Sequence, residues 1–186
     1  MTLPAALQSA VAVWLDAHSE TGGSRRQAAA ALSAAYRAGI GTQAVDPSTY
    51  LVTRLPATFA AVARVLDEVD RRRPEFSPAS LLDAGCGPGT ASWAASALWP
   101  EIVRITLLDH DDAMLGLAAA LARDGPPAMA GAEKVTARFD RLPNGLSADL
   151  TIAAYALAEV PLAGVSVAVR NLWAASGVML ALIEPG

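Results

Sequence analysis

A chain of 186 residues that is 53% hydrophobic and 17% charged holds enough apolar side chains for one core of ordinary domain size, and has the wrong balance for disorder. Eighteen acids against fourteen Lys and Arg leave a formal net charge of −4. That charge gives no overall attraction to phosphate and excludes a generally basic nucleic-acid binder, so no DNA partner is expected and any RNA contact must be local.

The first predicted element is a helix from Pro4 to about His18, where Leu7, Val11, Trp14 and Leu15 recur at helical spacing. Its apolar run, Ala10 to Leu15, has no Lys or Arg before it and is closed by Asp16, so it does not read as a signal peptide. Ser24 is placed to cap a second helix through Ala31, Leu32, Ala35 and Tyr36, ended by Gly39, with a loop from Gly39 to Pro47. A third helix runs from about Pro56 to Arg72 with Phe59, Val62, Ala63, Leu66 and Val69 on one face. Arg71-Arg72-Arg73 at its end is the only basic run. It reads first as a solvated complement to the helix dipole and only second as a phosphate contact. Pro74 and Pro78 mark a change of regime, dividing an N-terminal helical region, 1–76, from an α/β unit, 77–186.

From Ala79 onward, short apolar runs alternate with Ala- and Leu-rich stretches. The expected strands are Ser80 to Asp83, Ile102 to Asp109, Lys134 to Phe139, Leu150 to Ala154 and Val178 to Ile183. The expected crossover helices are Thr90 to Leu98, Ala113 to Arg123 and Val165 to Ala175. This alternation predicts a mostly parallel α/β sheet with helices on both faces. The long apolar region from Ile152 to Ile183 is broken by Glu159, Pro161 and Arg170, so it reads as buried sheet and helix and no membrane partner is expected. Trp14, Trp93, Trp99 and Trp173 mostly occupy helical apolar positions and read as core. The single cysteine, Cys86, rules out an internal disulfide framework and cannot alone close a zinc or iron–sulfur site, and a reducing cytoplasm is the simplest setting.

The chemistry concentrates where the first strand meets its helix. Leu81-Leu82-Asp83-Ala84-Gly85-Cys86-Gly87-Pro88-Gly89 supplies a strand–turn–helix junction with three glycines. A side chain there would block close backbone approach or demand a disfavoured positive φ, and the helix start offers unpaired N–H groups to an anion. Asp109, at the end of the next strand and about twenty residues on, is where an acid grips ribose hydroxyls. The plain alternative for Asp109 is capping, with Asp111 and Asp112, of the helix that follows. The glycines fall as Gly-x-Gly-x-Gly and not as the dinucleotide Gly-x-Gly-x-x-Gly, and Asp83 precedes the first by two residues. An acid there favours a cationic ligand. S-adenosylmethionine, with an ammonium, a sulfonium and no phosphate, fits better than a phosphorylated dinucleotide, which His110, Asp111 and Asp112 would disfavour.

These residues resemble the class of S-adenosylmethionine-dependent Rossmann-like methyltransferases. The resemblance implies that Asp83, Gly85 and Gly87 line the methionine end, that Cys86 and Gly89 of the same turn also bind the cofactor, that Asp109 holds the ribose, and that His110 flanks the adenine. It also implies an adenine contact at Phe139-Asp140, although Asp140 reads equally well as a surface turn with Arg141. Tyr50-Leu51-Val52-Thr53-Arg54-Leu55-Pro56-Ala57-Thr58, Ser80 to Gly89 with Ala91-Ser92-Trp93-Ala94-Ala95, and Leu172-Trp173 with Glu184-Pro185-Gly186 are similar to a narrower group. This is the methyltransferase-like family associated with the mitochondrial small ribosomal subunit, which has bacterial members. It implies a role in subunit assembly or translation, with the small subunit or its RNA as partner. Arg54 reads either as a contact to the ligand carboxylate or as a helix-start salt bridge. The family continues past Glu-Pro-Gly into clustered cysteines and this chain stops at Gly186, so no metal site is assigned. The last strands of the methyltransferase sheet are expected to be missing, by natural shortening or by truncation, leaving an edge that invites a partner or self-association.

Methyl transfer depends mostly on in-line positioning, so the lack of an evident base does not exclude activity. The segment Ala153-Ala154-Tyr155-Ala156-Leu157-Ala158-Glu159 lacks the Asn/Asp-Pro-Pro-aromatic signature of amide or adenine methylation. Tyr155 reads as a core aromatic before it reads as a base-stacking platform. His18 and His110 have no metal-ligand partner at useful spacing. Three readings follow: a methyltransferase acting on ribosomal RNA, a non-catalytic assembly protein that keeps the ligand pocket, and a small-molecule methyltransferase.

Overall fold

The structure is a computed structural model that describes residues 2–18 and 46–185. The helix expected from Ser24 lies outside the described residues. Helix α1 (Ala5–Ala17) and helix α3 (Leu55–Arg72) stand where periodicity places them. Between them is a helix the periodicity does not announce, α2 (Pro47–Thr53), too short for a repeating stripe. Its signal was local: Asp46 accepts a hydrogen bond from Thr49 N at 3.0 Å and Pro47 opens the first turn.

The strands are β1 (Ser80–Ala84), β2 (Arg104–Asp109), β3 (Glu133–Thr136), β4 (Ala148–Ala154) and β5 (Ser176–Ile183). The helices among them are α4 (Thr90–Leu98), α5 (Asp112–Ala122), a short α6 (Pro127–Ala130) and α7 (Leu162–Ala174). All pairings are parallel, in the order β3-β2-β1-β4-β5. The chain winds outward from β1 through β2 to β3, then returns to the other side of β1. The order therefore reverses between β1 and β4, and a crevice forms at the carboxyl ends of strands at such a switch point.

Several boundaries shift by one to three residues from expectation, and two of the shifts have identifiable reasons. β3 stops at Thr136 and not at Phe139, because β2, its one partner among the described residues, ends where Asp109 pairs with Thr136. Phe139–Arg141 then forms a 3-10 turn. α7 starts at Leu162, ahead of the expected Val165, because Pro161 sets the turn that opens it.

Alternate side chains divide the core. Leu81, Ile105, Leu107, Leu150 and Ile152 join Leu7, Leu51, Leu55, Phe59, Leu66 and Trp93 in one large cluster, so the N-terminal helices share the core of the sheet. α1 packs on α5, and α3 packs on α4. Each fully buried leucine there contributes about 2 kcal/mol. Leu82, Ala84, Leu108 and Ala153 face the other way, toward Leu172 and Ala175 and the Phe139 turn. Trp93 and Trp99 are core as expected, Trp14 is half-buried and stacks on His18 at 4.0 Å, and Trp173 is 66% exposed. The expectation of a core tryptophan fails at Trp173 because Ala168 and Leu172 set the buried stripe of α7, and Trp173 falls out of that phase. Arg71 pairs with Asp67 and Glu68, Arg72 with Glu68 and Arg73 with Glu75, all at the surface, so the basic run is locally neutralised. β5 is the last strand on its side of the sheet, with Val178 and Leu182 exposed. Among the described residues no helix is long and apolar enough to cross a membrane.

Candidate functional site

The turn after β1 is built by backbone hydrogen bonds that only small residues permit. Gly85 N and Cys86 N both donate to the Leu108 carbonyl, at 2.7 and 3.0 Å, and Gly89 N donates back to Cys86 O at 2.8 Å. Gly85, Gly87 and Gly89 have φ values of +69°, +51° and +80°, the left-handed region that side chains disfavour. Gly89 is also the N-cap residue of α4. A Cβ on Gly85 would lie 2.5 Å from the Ala156 Cβ and 2.8 Å from the Phe139 ring, so the turn is in close contact with the segments after β4 and β3. Above Gly87 the space is open: the nearest atom to a Cβ there is the Tyr50 hydroxyl, at 3.9 Å.

Asp109 meets this turn directly. Its Oδ2 accepts from Gly87 N at 2.9 Å and its Oδ1 from Asp111 N at 3.0 Å. Each carboxylate oxygen has a second lone pair for a further donor, and the side chain retains 9% exposure. The cap of α5 is Asp111, which accepts from Ala113 N at 2.8 Å, so the capping role weighed for Asp109 belongs to its neighbour. His110 is exposed, with Nδ1 3.3 Å from Asp109 Oδ1.

Asp83 lies beneath the turn, 1% exposed, where its Oδ2 accepts from Ser92 N at 2.9 Å and Ser92 Oγ at 2.7 Å. Burial pushes its carboxyl up to about 6, against the hydrogen bonds from Ser92 and with the negative charge of Asp109 adding to the rise. Nothing local in the sequence marks Ser92, nine residues on, as the partner of Asp83. Cys86 is also buried, its Sγ donating to Gly87 O at 3.4 Å, and burial pushes its thiol far up with Asp83 and Asp109 adding to the effect. A thiol so held stays protonated and is no nucleophile; Cys86 serves the turn through its backbone.

Of the pair after β3, Phe139 faces the turn, and its carbonyl accepts from Asn171 Nδ2 at 2.8 Å. Asp140 is exposed and pairs with Arg138 at 3.1 Å, not with Arg141. Tyr155 follows β4 with φ +57°, alone among described non-glycine residues in having a positive φ, and its N–H donates to Ile183 O at 2.8 Å. Such strain in a non-glycine residue persists only where the surroundings impose it, commonly beside functional sites. The open cradle above Gly87 and the carboxylate of the adjacent strand fit an amino-acid-bearing nucleoside.

A family described as the mitochondrial small ribosomal subunit protein Rsm22 matches residues 44–186. The human mitochondrial ribosome assembly protein METTL17 is 35% identical over 143 residues, which make up 74% of this chain and 31% of that protein. The trans-aconitate 2-methyltransferase of Streptomyces avermitilis is 39% identical over 88 residues, 46% of this chain and 30% of the enzyme. This chain thus spans less than a third of the length of either relative. Among solved structures, that of S-adenosylmethionine-bound CalS10, an amino pentose methyltransferase from Micromonospora echinaspora, superposes with a TM-score of 0.56 at 23% identity. The overlap covers 84% of this chain and 56% of that one, and it shows the Rossmann-like methyltransferase fold.

Proposed function

The chain belongs to the Rsm22 family of the mitochondrial small ribosomal subunit, and from that premise we propose that it is an S-adenosylmethionine-binding, methyltransferase-like protein of small-subunit assembly, acting on ribosomal RNA. The observation that carries the cofactor reading is the 2.9 Å hydrogen bond from Gly87 N to Asp109, which joins the two ligand determinants in one site. Gly85 and Gly87 form the floor, Asp109 accepts the ribose hydroxyls, and Phe139 with His110 flanks the adenine. When bound, S-adenosylmethionine supplies an electrophilic methyl group on a sulfonium. The contribution of the protein is to fix that group and exclude water, in keeping with a reaction that rests on in-line positioning. Asp140, turned to solvent, is left out of the pocket.

The curated human relative is mitochondrial, so the cytoplasmic location expected from the sequence gives way to a broader one: the compartment in which the small subunit is assembled. The N-terminal helices and the sheet act as one folding unit, since they share a core.

A second reading has an observation in its favour. Both Asp109 oxygens already accept backbone N–H groups, and Asp83 is held by Ser92, so the turn is internally satisfied, as suits an assembly protein that keeps the pocket as a structural device. Calorimetry decides between them. The cofactor reading expects a saturable heat with S-adenosylmethionine, and none at millimolar ligand contradicts it. Co-sedimentation with purified small ribosomal subunits tests the partner, and a chain that stays in the supernatant contradicts the ribosomal role.

A further inference from the structure

The two edges of the sheet are finished differently. The β3 edge is four residues long and carries two charges, Glu133 and Lys134, the short charged form that discourages pairing with another chain. The β5 edge is eight residues long, and Ser176–Ile183 contains no charged residue and no proline. Main-chain groups of successive residues point to alternate sides of a strand. Ile183 turns its carbonyl inward, where it accepts from Tyr155 N at 2.8 Å. Val178, Leu180 and Leu182 therefore turn their N–H and C=O groups outward, where no strand meets them among the described residues. Side chains extend the same edge. Val178 is 61% exposed and Leu182 41%, both on the sheet face that α7 covers. On α7, Asn171 reaches inward to the Phe139 carbonyl, and the exposed Leu162 and Trp173 occupy the opposite flank, which looks out past β5.

This edge is complementary to itself. In an antiparallel pair centred on Leu180, residues equally far before and after it face one another on the same side of the sheet. Val178 then meets Leu182 of a second copy, Leu182 meets its Val178, and the outward N–H and C=O groups find each other. Glu184 falls opposite Ser176, so no like charges oppose across the pair. We infer that β5 is the contact surface of a two-fold symmetric dimer, in which two copies of this chain join their sheets edge to edge through antiparallel β5 strands. The Leu162 and Trp173 flanks of the two α7 helices close over the seam. A phosphate-bearing partner finds no cation on this strand, whereas a second copy finds matching apolar side chains and unpaired backbone. The two-fold places the two glycine turns at opposite ends of the joined sheet, so both crevices stay open. The dimer needs no bound ligand and does not depend on the cofactor reading above.

Analytical ultracentrifugation of the whole chain tests this, and at about 50 µM twice the mass of one chain is expected. Val178→Lys or Leu182→Lys sets an ammonium against an apolar side chain at both symmetric points, and is expected to weaken association at least about 10-fold. Val178→Lys combined with Leu182→Glu in the same chain is expected to restore association to within about threefold, since each lysine now faces a glutamate of the second copy. The rescue reports on that copy alone, because residues four apart on one strand lie about 13 Å from each other. A single-chain mass at about 50 µM, single substitutions without effect, or a double variant no better than the single ones overturns the inference. So do species that keep growing with concentration, the mark of a head-to-tail contact. Val178 is the more exposed of the two, and Val178→Lys alone carries the test if a thermal melt shows that a change at Leu182 has cost the fold.

Discussion

At the amino end of the sheet, Asp149 accepts hydrogen bonds from Ala79 N, Ser80 N and Ser80 Oγ, all at 2.9 Å, and its own N–H donates to the Ser80 hydroxyl. At the carboxyl end, Asp83 accepts from Ser92 N and Ser92 Oγ, lies fully buried and feels the charge of Asp109. The environments push the two carboxyls in opposite directions. Hydrogen bonds from Ser80 hold Asp149 below its ordinary 3.8, whereas burial lifts Asp83 to about 6. The amino end uses its acid to fasten β1 to β4. The carboxyl end keeps an acid where folding gains nothing from its charge, and that is the end where a ligand would gain.

Substitutions at the two ends should therefore behave differently. The largest effect is expected from Gly85→Ala, which combines a disfavoured φ with a Cβ forced against Ala156 and Phe139. A loss of about 4 kcal/mol in urea unfolding is expected, and a loss below about 1 kcal/mol would show that the turn is loosely held. Next is Asp83→Asn. The native state holds the Asp83 proton to about pH 6 and the unfolded chain releases it near 3.8. The native state is thus favoured below 3.8 and loses that advantage as the pH rises through about 6. Asp83→Asn should then be more stable than the unaltered chain by about 3 kcal/mol at pH 8, with the gain vanishing toward pH 4. A gain that does not vary with pH would break the contrast.

Asp149→Ala should show the reverse sign, a loss of about 2 kcal/mol at neutral pH. Because the Asp149 carboxyl is lowered from 3.8 when folded, its stabilisation is present above 3.8 and is lost as the pH falls below it. Unfolding midpoints at pH 7 and pH 3 check this. The smallest effect belongs to Gly145→Ala, in the loop before β4, where φ is +81° and nothing lies within 4 Å of the added Cβ. About 1 kcal/mol, the backbone cost alone, is expected.

Much of this contrast could be read from residue order, and some could not. The strand–turn–helix with its three glycines was legible because positive φ and close approach leave a signature in residue type, and α4 was placed to the residue. Asp109 was legible because the end of a buried strand is visible in the apolar run Ile105 to Leu108. The state of Asp83 was not, since it depends on α4 lying against β1 so that Ser92, nine residues on, meets the carboxylate. Tyr155 carries its unusual backbone angle without a glycine to announce it. Tyr50 opens a distinctive string, but the approach of its hydroxyl to Gly87 is a product of how α2 docks on the core. Local chemistry was written in the sequence, whereas its partners were fixed by packing.

The most direct test of the central claim compares S-adenosylmethionine affinity in Asp109→Ala and Asp140→Ala by calorimetry, with thermal melts to show that both remain folded. The account predicts a loss of about 1–3 kcal/mol for Asp109→Ala, through lost hydrogen bonds to the ribose, and no change for the solvent-facing Asp140→Ala. An unchanged affinity in Asp109→Ala would place the sugar elsewhere and contradict the site.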